Sequence, residues 1–205
     1  MRYGRLVVLS TVLLAGLAGC ADRPNNLETY YDRPAGAATT STPPPAAPGK
    51  PDAAAAAASS AQREIADEVT AAVLTKSDLA GEGVRPATER PESSACFNGV
   101  PAGDPRGASW TYSSGSSLIQ QVTGYLDETA TGVLDRVRCD GRALDLPLPS
   151  GAESVRGWCS GGTCTVLLAA GHVLSGLEVS ATTSTRAEDA VKSLAPLAAR
   201  KLPAT

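Results

Sequence analysis

The sequence predicts an α+β domain in which helices pack on a mainly antiparallel sheet and two disulfides stabilise the fold. The first observation is the order of the hydrophobic patterns, which runs helix, two strands, helix, three strands, helix. The second is the set of short turns rich in Gly and Ser between neighbouring strand patterns. The third is the even number of cysteines after residue 20, at Cys96, Cys139, Cys159 and Cys164.

Composition limits both the core and the partners of this chain of 205 residues. Aromatic residues make up 4% of it, with one Phe and one Met, so the core is expected to consist mainly of Val, Leu, Ile and Ala. The formal net charge is -3, and charges of both signs are dispersed along the sequence. No basic stripe is available to neutralise phosphates, so no nucleic-acid partner is expected.

The first twenty residues have the parts of a signal peptide, with basic residues at Arg2 and Arg5 followed by an uncharged, mostly apolar run over Leu6–Ala18. This run is shorter than the roughly 20 residues that a helix needs to cross a bilayer. The segment Leu17-Ala18-Gly19-Cys20 then resembles the bacterial lipobox at every position. The resemblance implies a signal peptide over residues 1–19, diacylglyceryl attachment at Cys20 and a cell-membrane location on the extracytoplasmic face. The alternative is an ordinary secretory signal that ends in a cysteine by chance.

Residues 20–60 are predicted to form a lipidated cysteine followed by a disordered tether. Pro, Ala, Thr and Gly dominate this segment, and it has no charged residue between Arg33 and Lys50. Such a composition cannot bury a core. A flexible coil of about 40 residues holds its ends roughly 35 Å apart. The threonines near Pro43 suit O-linked sugars, with an unmodified spacer as the alternative.

The globular domain is predicted over residues 61–205 and begins with a helix. Ser59 and Gln62 have the spacing of a capping box, and apolar residues recur at helical spacing over 61–75, a helix that the alanines at 53–58 would extend backwards. Residues 76–105 are rich in Gly, Pro and charge, which predicts a long irregular connection held by a disulfide at Cys96.

The next elements are predicted to be strands at 108–112 and 116–126 and a helix that Asp127 caps. Both faces of the second strand are partly apolar, which indicates an interior position in the sheet. The helix has an apolar stripe and ends at Cys139.

Three further strands and a helix complete the domain. Strands over 153–159 and 163–170 flank a Ser-Gly-Gly turn, and a strand over 173–182 is predicted to have one buried and one wet face. Thr185 and Glu188 have capping-box spacing for a C-terminal helix, which Pro196 is expected to kink or to end.

Two disulfides are expected because an export signal places these cysteines in an oxidising compartment. A Cys96–Cys139 bond would tie the long connection to the end of the second helix, and Cys159 and Cys164 flank the hairpin turn closely enough for a local bond. The sequence does not fix the pairing, so two other connectivities stay open. Four free thiols or a zinc site are the weaker alternatives, since only one histidine is present.

Motifs for catalysis or cofactor binding are not found in the sequence: it has no GxSxG, no HExxH and no phosphate-binding glycine loop. His172 falls at a predicted turn and is expected to be an exposed turn residue rather than a base. The serines at 113–117 lack a candidate base and are interpreted as turn residues.

Three carboxylates and two tryptophans are further candidates for a catalytic or binding site. Spacing does not bring Glu178 together with Asp127 or Asp145 as paired carboxylates. Trp110 and Trp158 are expected in the core or along a cleft. The sequence therefore predicts a protein that is not an enzyme and has no metal and no cofactor.

Several segments together resemble a known family. They are the first helix running into Leu74–Leu79, the strand Leu118–Tyr125 with the helix to Cys139, the Gly157-Trp158-Cys159 strand, and the final hairpin and helix ending at Leu202. From about Gln62 to the C-terminus the chain resembles the PknH-type extracellular sensor domain, which occurs on actinobacterial serine/threonine kinases and as freestanding lipoproteins. The chain departs from that family at residues 182–184, where the family has a cysteine, and has Cys164 instead.

The resemblance implies a small α+β domain with a cleft for an unidentified ligand at the cell envelope, and no catalysis. The first hypothesis is therefore a lipid-anchored ligand-binding or sensor-like module. The alternative is a structural or protein-interaction module of the envelope without a small-molecule ligand. A pocket with convergent polar groups between the sheet and the connection over 76–105 would favour the first, and a flat exposed apolar patch would favour the second.

Overall fold

The structure is a computed structural model that describes residues 53–89 and 92–204. The predicted signal peptide, the lipid attachment at Cys20 and most of the predicted tether lie outside the described residues. Helix α1 (Ala53–Ala72) begins inside the segment predicted as tether, because the alanines before Ser59 continue the helix backwards.

Seven antiparallel strands form a single sheet with the order β1-β2-β3-β7-β6-β5-β4, and together with the helices they confirm the predicted α+β class. The prediction of an interior second strand is also confirmed, since β3 lies between β2 and β7. The strands are β1 (Val84–Pro86), β2 (Asp104–Tyr112), β3 (Ser117–Gly124), β4 (Arg142–Ala143), β5 (Ser154–Ser160), β6 (Thr163–Ala170) and β7 (Val173–Ser180).

Helices cover both faces of the sheet. Helices α1 and α4 (Ser184–Ala199) pack on one face, where the larger apolar cluster includes Val122 and Val166. Helices α2 (Ala95–Asn98) and α3 (Ala130–Arg136) lie on the other face, where Phe97 and Leu134 pack with Leu167. The antiparallel register alternates side chains between these two clusters, so each interior strand contributes to both.

The prediction of a wet face on the strand after residue 173 is wrong. All residues of β7 from Val173 to Val179 are buried, including Glu178. This strand is the central one of the seven, and the segment that contains α2 covers the face that was expected to be exposed. Strand periodicity reports which side chains share a face, but not whether a distant segment covers that face.

Side-chain caps at two helices differ from the predicted ones. Helix α3 is capped by Thr129, which accepts a hydrogen bond from the Gly132 N–H at 3.2 Å, and not by Asp127. Helix α4 is capped by Thr183, which accepts from the Arg186 N–H at 3.4 Å, and not by Thr185. In both cases the threonine directly before the first helical residue has the required extended backbone.

The predicted cap of α1 is also wrong, and of the two outcomes predicted for Pro196 the end of the helix is wrong. Ser59 does not cap α1 but lies within it, where its hydroxyl donates to the Ala55 carbonyl at 2.9 Å. Pro196 does not end α4, which continues to Ala199. Because Pro196 falls in the last turn, the helix loses only the single N–H that proline lacks.

The connection over 76–105 is not wholly irregular, since it contains β1 and α2 and reaches the first residues of β2. Strand β4 was not predicted, because two residues are too short to show a period.

The C-terminal end of α1 is held by Gln120, which is fully buried. Its side chain accepts from the Leu74 N–H at 2.6 Å and donates to the Ala72 carbonyl at 3.1 Å.

Both expected disulfides are confirmed. The Cys96–Cys139 bond joins Cα atoms 4.9 Å apart and links α2 to the segment after α3. The Cys159–Cys164 bond joins directly opposed residues of β5 and β6 with Cα atoms 4.1 Å apart. Within the described residues no helix has both the length and the apolar character needed to cross a membrane.

Candidate functional site

A polar cleft opens on the α2 and α3 side of the sheet, at the end of the β5–β6 hairpin, with a volume of about 280 Å³. Its walls come from four separate parts of the chain: the segment around α2, the residue after Cys139, strand β5 and strand β6. Its lining residues are mainly hydroxyl-bearing and polar, and they are Ser94, Cys96, Asp140, Trp158, Ser160, Thr163 and Thr165.

The strand register explains why these side chains converge. Trp158 lies opposite Thr165, and Ser160 lies opposite Thr163, so the two pairs are neighbours on one face of the hairpin. The Cys96–Cys139 bond then holds the α2 segment against the chain that leads to Asp140. The disulfide is therefore part of the cleft wall as well as a cross-link.

Glu178 lies beneath this cleft and is 1% exposed. The Ser94 N–H donates to both of its carboxylate oxygens, at 3.0 Å each, and the Ser94 hydroxyl donates to Oε2. The Thr165 hydroxyl donates to the same oxygen at 3.5 Å. Because Ser94 and Thr165 both line the cleft, the carboxylate is separated from the open space by its own hydrogen-bond donors.

The charged side chains in the lining of the cleft and directly beneath it are both acidic. Asp140 is the one formally charged residue of the cleft lining, and it is exposed. No ion pair between described residues includes Glu178. Arg156 lies on the same face of β5 as Trp158, but its guanidinium is bound to Asp135 at 2.7 Å.

Glu178, Asp127 and Asp145 do not form a pair of carboxylates. Asp127 and Asp145 are both exposed, whereas Glu178 is buried. Asp127 lies beyond the end of β3 that pairs with Val173, about 17 Å along the sheet from Glu178. Asp145 follows β4, three strand spacings away, or about 14 Å.

His172 and the serines at 113–117 lie at turns between strands and do not line the cleft. His172 lies at the β6–β7 turn, as predicted, but it is half-buried, and its Nδ1 is 2.9 Å from the Tyr125 carbonyl and 3.0 Å from the Glu128 carbonyl. An Nδ1–H that donates to these carbonyls fixes the ring against the end of β3. The serines at 113–117 form the β2–β3 turn and the first residue of β3.

The two tryptophans differ in role. Trp110 is 4% exposed and packs in the core under α1 and α4, while Trp158 lines the cleft. The role of Glu178 was not predicted, because strand periodicity placed it on the face of the strand that was expected to be wet. The available signal was its position between Leu177 and Val179, since a carboxylate within an apolar strand needs buried partners.

Two other cavities have more apolar linings. One of about 200 Å³ lies between α1 and the end of β3, around Ile65 and Leu126. The other, of about 390 Å³, lies between α4 and the proline-rich segment around Leu146. Over residues 53–89 and 92–204, no three or more His, Cys, Asp or Glu side chains are grouped as a metal site would need.

The lining of the cleft combines an indole, several hydroxyls and the carboxylate of Asp140, which is the chemistry of a site for a small polar ligand. In the described part of the chain, the one histidine ring is engaged with backbone carbonyls at a different end of the sheet. Comparisons of the chain with models of known protein families, with curated proteins and with solved structures found no match.

Proposed function

We propose that this chain is a lipid-anchored lipoprotein of the cell envelope whose domain binds a small ligand without catalysis. The observation that carries the proposal is the convergence of polar side chains on a cleft between the sheet and the α2 segment. That segment lies within the connection over 76–105, where a ligand-binding module was expected to have its pocket. The cleft supports the sensor-like interpretation that the resemblance to the PknH-type domain implies.

The surface gives less support to an interaction module that lacks a ligand. Among described residues, the large apolar side chains that are exposed are Leu126 at 45% and Leu148 at 56%. They belong to separate segments, and single exposed leucines are usual on soluble domains. A docking face for a stable protein partner normally presents a larger contiguous apolar patch.

The anchor part of the proposal depends on Cys20. Two acyl chains at about 0.8 kcal/mol per buried methylene would hold the protein stably at a membrane. Mass spectrometry of the N-terminal peptide, purified from the native envelope, is expected to show a chain that starts at Cys20 and carries a diacylglyceryl group. An unmodified cysteine within a longer chain would contradict the anchor.

The ligand part is tested by native mass spectrometry of the full-length protein purified from its own envelope. We expect a co-purifying small molecule that is lost in a Ser160→Phe variant, because Ser160 lines the cleft. Ser114→Phe is the matched control, since Ser114 is also an exposed serine at one end of a hairpin but lies at the β2–β3 turn. Recovery of no small molecule, with a stable protein partner instead, would overturn the proposal.

A further inference from the structure

The cleft contains charge of one sign. Asp140 stands in its lining, Glu178 lies beneath it, and no Lys, Arg or His is among the lining residues. Glu178 is satisfied by three donors, all of which are neutral. Hydrogen bonds from neutral groups satisfy the oxygens of a buried carboxylate but leave its net charge without a counterion.

The neighbouring cation does not supply that counterion. Arg156 is two residues from Trp158 on the same face of β5, but its guanidinium is paired with Asp135 of α3 at 2.7 Å. The formal charges in the lining and directly beneath it are therefore those of the two carboxylates, which attract cations and repel anions.

Trp158 adds a second preference of the same kind. An indole face attracts a cation placed within about 6 Å of the ring centre, and tryptophan does so best among the aromatic residues. Trp158 is directly opposite Thr165, whose hydroxyl contacts Glu178. The ring and the Thr165 hydroxyl that covers the buried carboxylate therefore border the same small space.

We infer that the cleft selects organic ammonium cations. The inference rests on the proposed ligand-binding function and names the chemical class of the ligand. Asp140 and the field of Glu178 attract the charge, Trp158 contacts the ammonium group, and the hydroxyls of Ser160 and Thr163 accept hydrogen bonds from an N–H or O–H of the ligand. A volume of about 280 Å³ is near the lower end for ligand pockets, so the cation is small.

The test compares choline with 3,3-dimethylbutan-1-ol, which has the same shape but no charge. Both are titrated by calorimetry into the full-length protein in a non-ionic detergent, with acetate and glucose as further probes. We expect choline to bind at least about tenfold more tightly than its neutral analogue. Raising the salt concentration is expected to weaken choline binding.

Variants separate the two carboxylates. Glu178→Gln and Asp140→Asn are each expected to lower choline affinity at least threefold and to leave the affinity of the neutral analogue unchanged. Replacing the buried Glu178 also perturbs the packing of the core. Asp140 is exposed, so Asp140→Asn tests the effect of the charge without that perturbation. Asp145→Asn is the matched control, since Asp145 is an exposed carboxylate that does not line the cleft, and it is expected to bind choline as the native protein does.

The outcomes distinguish this inference from the proposed function. If the neutral analogue, glucose or acetate binds in the cleft as tightly as choline, the selection of cations is refuted while ligand binding stands. If choline, tetramethylammonium and butylammonium all fail to bind at millimolar concentration, the inference is also refuted. The proposed function fails separately, when the envelope-purified protein carries no ligand and has a protein partner instead.

Discussion

Removing the Cys96–Cys139 bond is expected to destabilise the domain about twice as much as removing the Cys159–Cys164 bond. The first bond joins residues 43 positions apart, and the second joins residues 5 positions apart. A cross-link stabilises the folded state chiefly by restricting the unfolded chain, and the restriction grows with the length of the closed loop. On that relation the long-range bond contributes about 4 kcal/mol and the hairpin bond about 2 kcal/mol.

The comparison uses two double variants, Cys96→Ala with Cys139→Ala and Cys159→Ala with Cys164→Ala. Urea unfolding of each oxidised protein, followed by circular dichroism, gives the free energy of unfolding by linear extrapolation. The first double variant is also expected to lose ligand binding, since Cys96 lines the cleft and its bond holds two walls together. The second is expected to keep ligand binding, because Cys159 and Cys164 lie in the opposite apolar cluster.

An equal or larger loss of stability in the hairpin variant would refute the loop-length argument. In that case the packing of Cys164, which is fully buried in the apolar cluster under α1 and α4, would outweigh chain entropy. Retained ligand binding in the Cys96 variant would show that hydrogen bonds from Ser94 to Glu178 hold the cleft wall without the cross-link.

Three further perturbations test particular contacts. Gln120→Met leaves the Leu74 N–H and the Ala72 carbonyl unpaired at the end of α1, so urea unfolding is expected to show a loss of about 2–4 kcal/mol. Tyr112→Phe is expected to be neutral or stabilising in the same assay, because the buried Tyr112 hydroxyl has no hydrogen-bond partner among the described residues; Tyr125→Phe, which loses a bond to the Pro101 carbonyl, is expected to cost about 1 kcal/mol. Hydrogen bonds from the Thr75 hydroxyl and backbone, and the charge of Lys201, hold the pKa of Asp78 below its usual value. The contribution of Asp78 to the free energy of unfolding is therefore present above the unfolded pKa of about 3.9 and is lost as the pH falls through the lower folded pKa. Asp78→Asn is expected to reduce the fall in the free energy of unfolding at acid pH, measured by urea unfolding at a series of pH values.

Local sequence patterns predicted most of the helices and strands. The Ser-Gly-Gly turn signal placed β5 and β6 to within one residue at each end. The apolar stripe through Val191 likewise located α4. Helix starts were displaced because several Ser, Thr and Asp residues near each start have the right chemistry, and only backbone geometry selects among them.

The cleft was beyond such reasoning because its walls are distant in sequence. Ser94 and Glu178 are 84 positions apart, and no periodicity in either segment indicates that one covers the other. The decisive clue was chemical rather than periodic. A carboxylate between Leu177 and Val179, in the central strand of the sheet, requires donors from elsewhere in the fold, and the segment without regular pattern is the part of the chain free to bring them. An ionisable residue at an apolar strand position therefore indicates that an irregular segment from elsewhere in the sequence packs over it. Here the contact between Ser94 and Glu178 forms the floor of the candidate site.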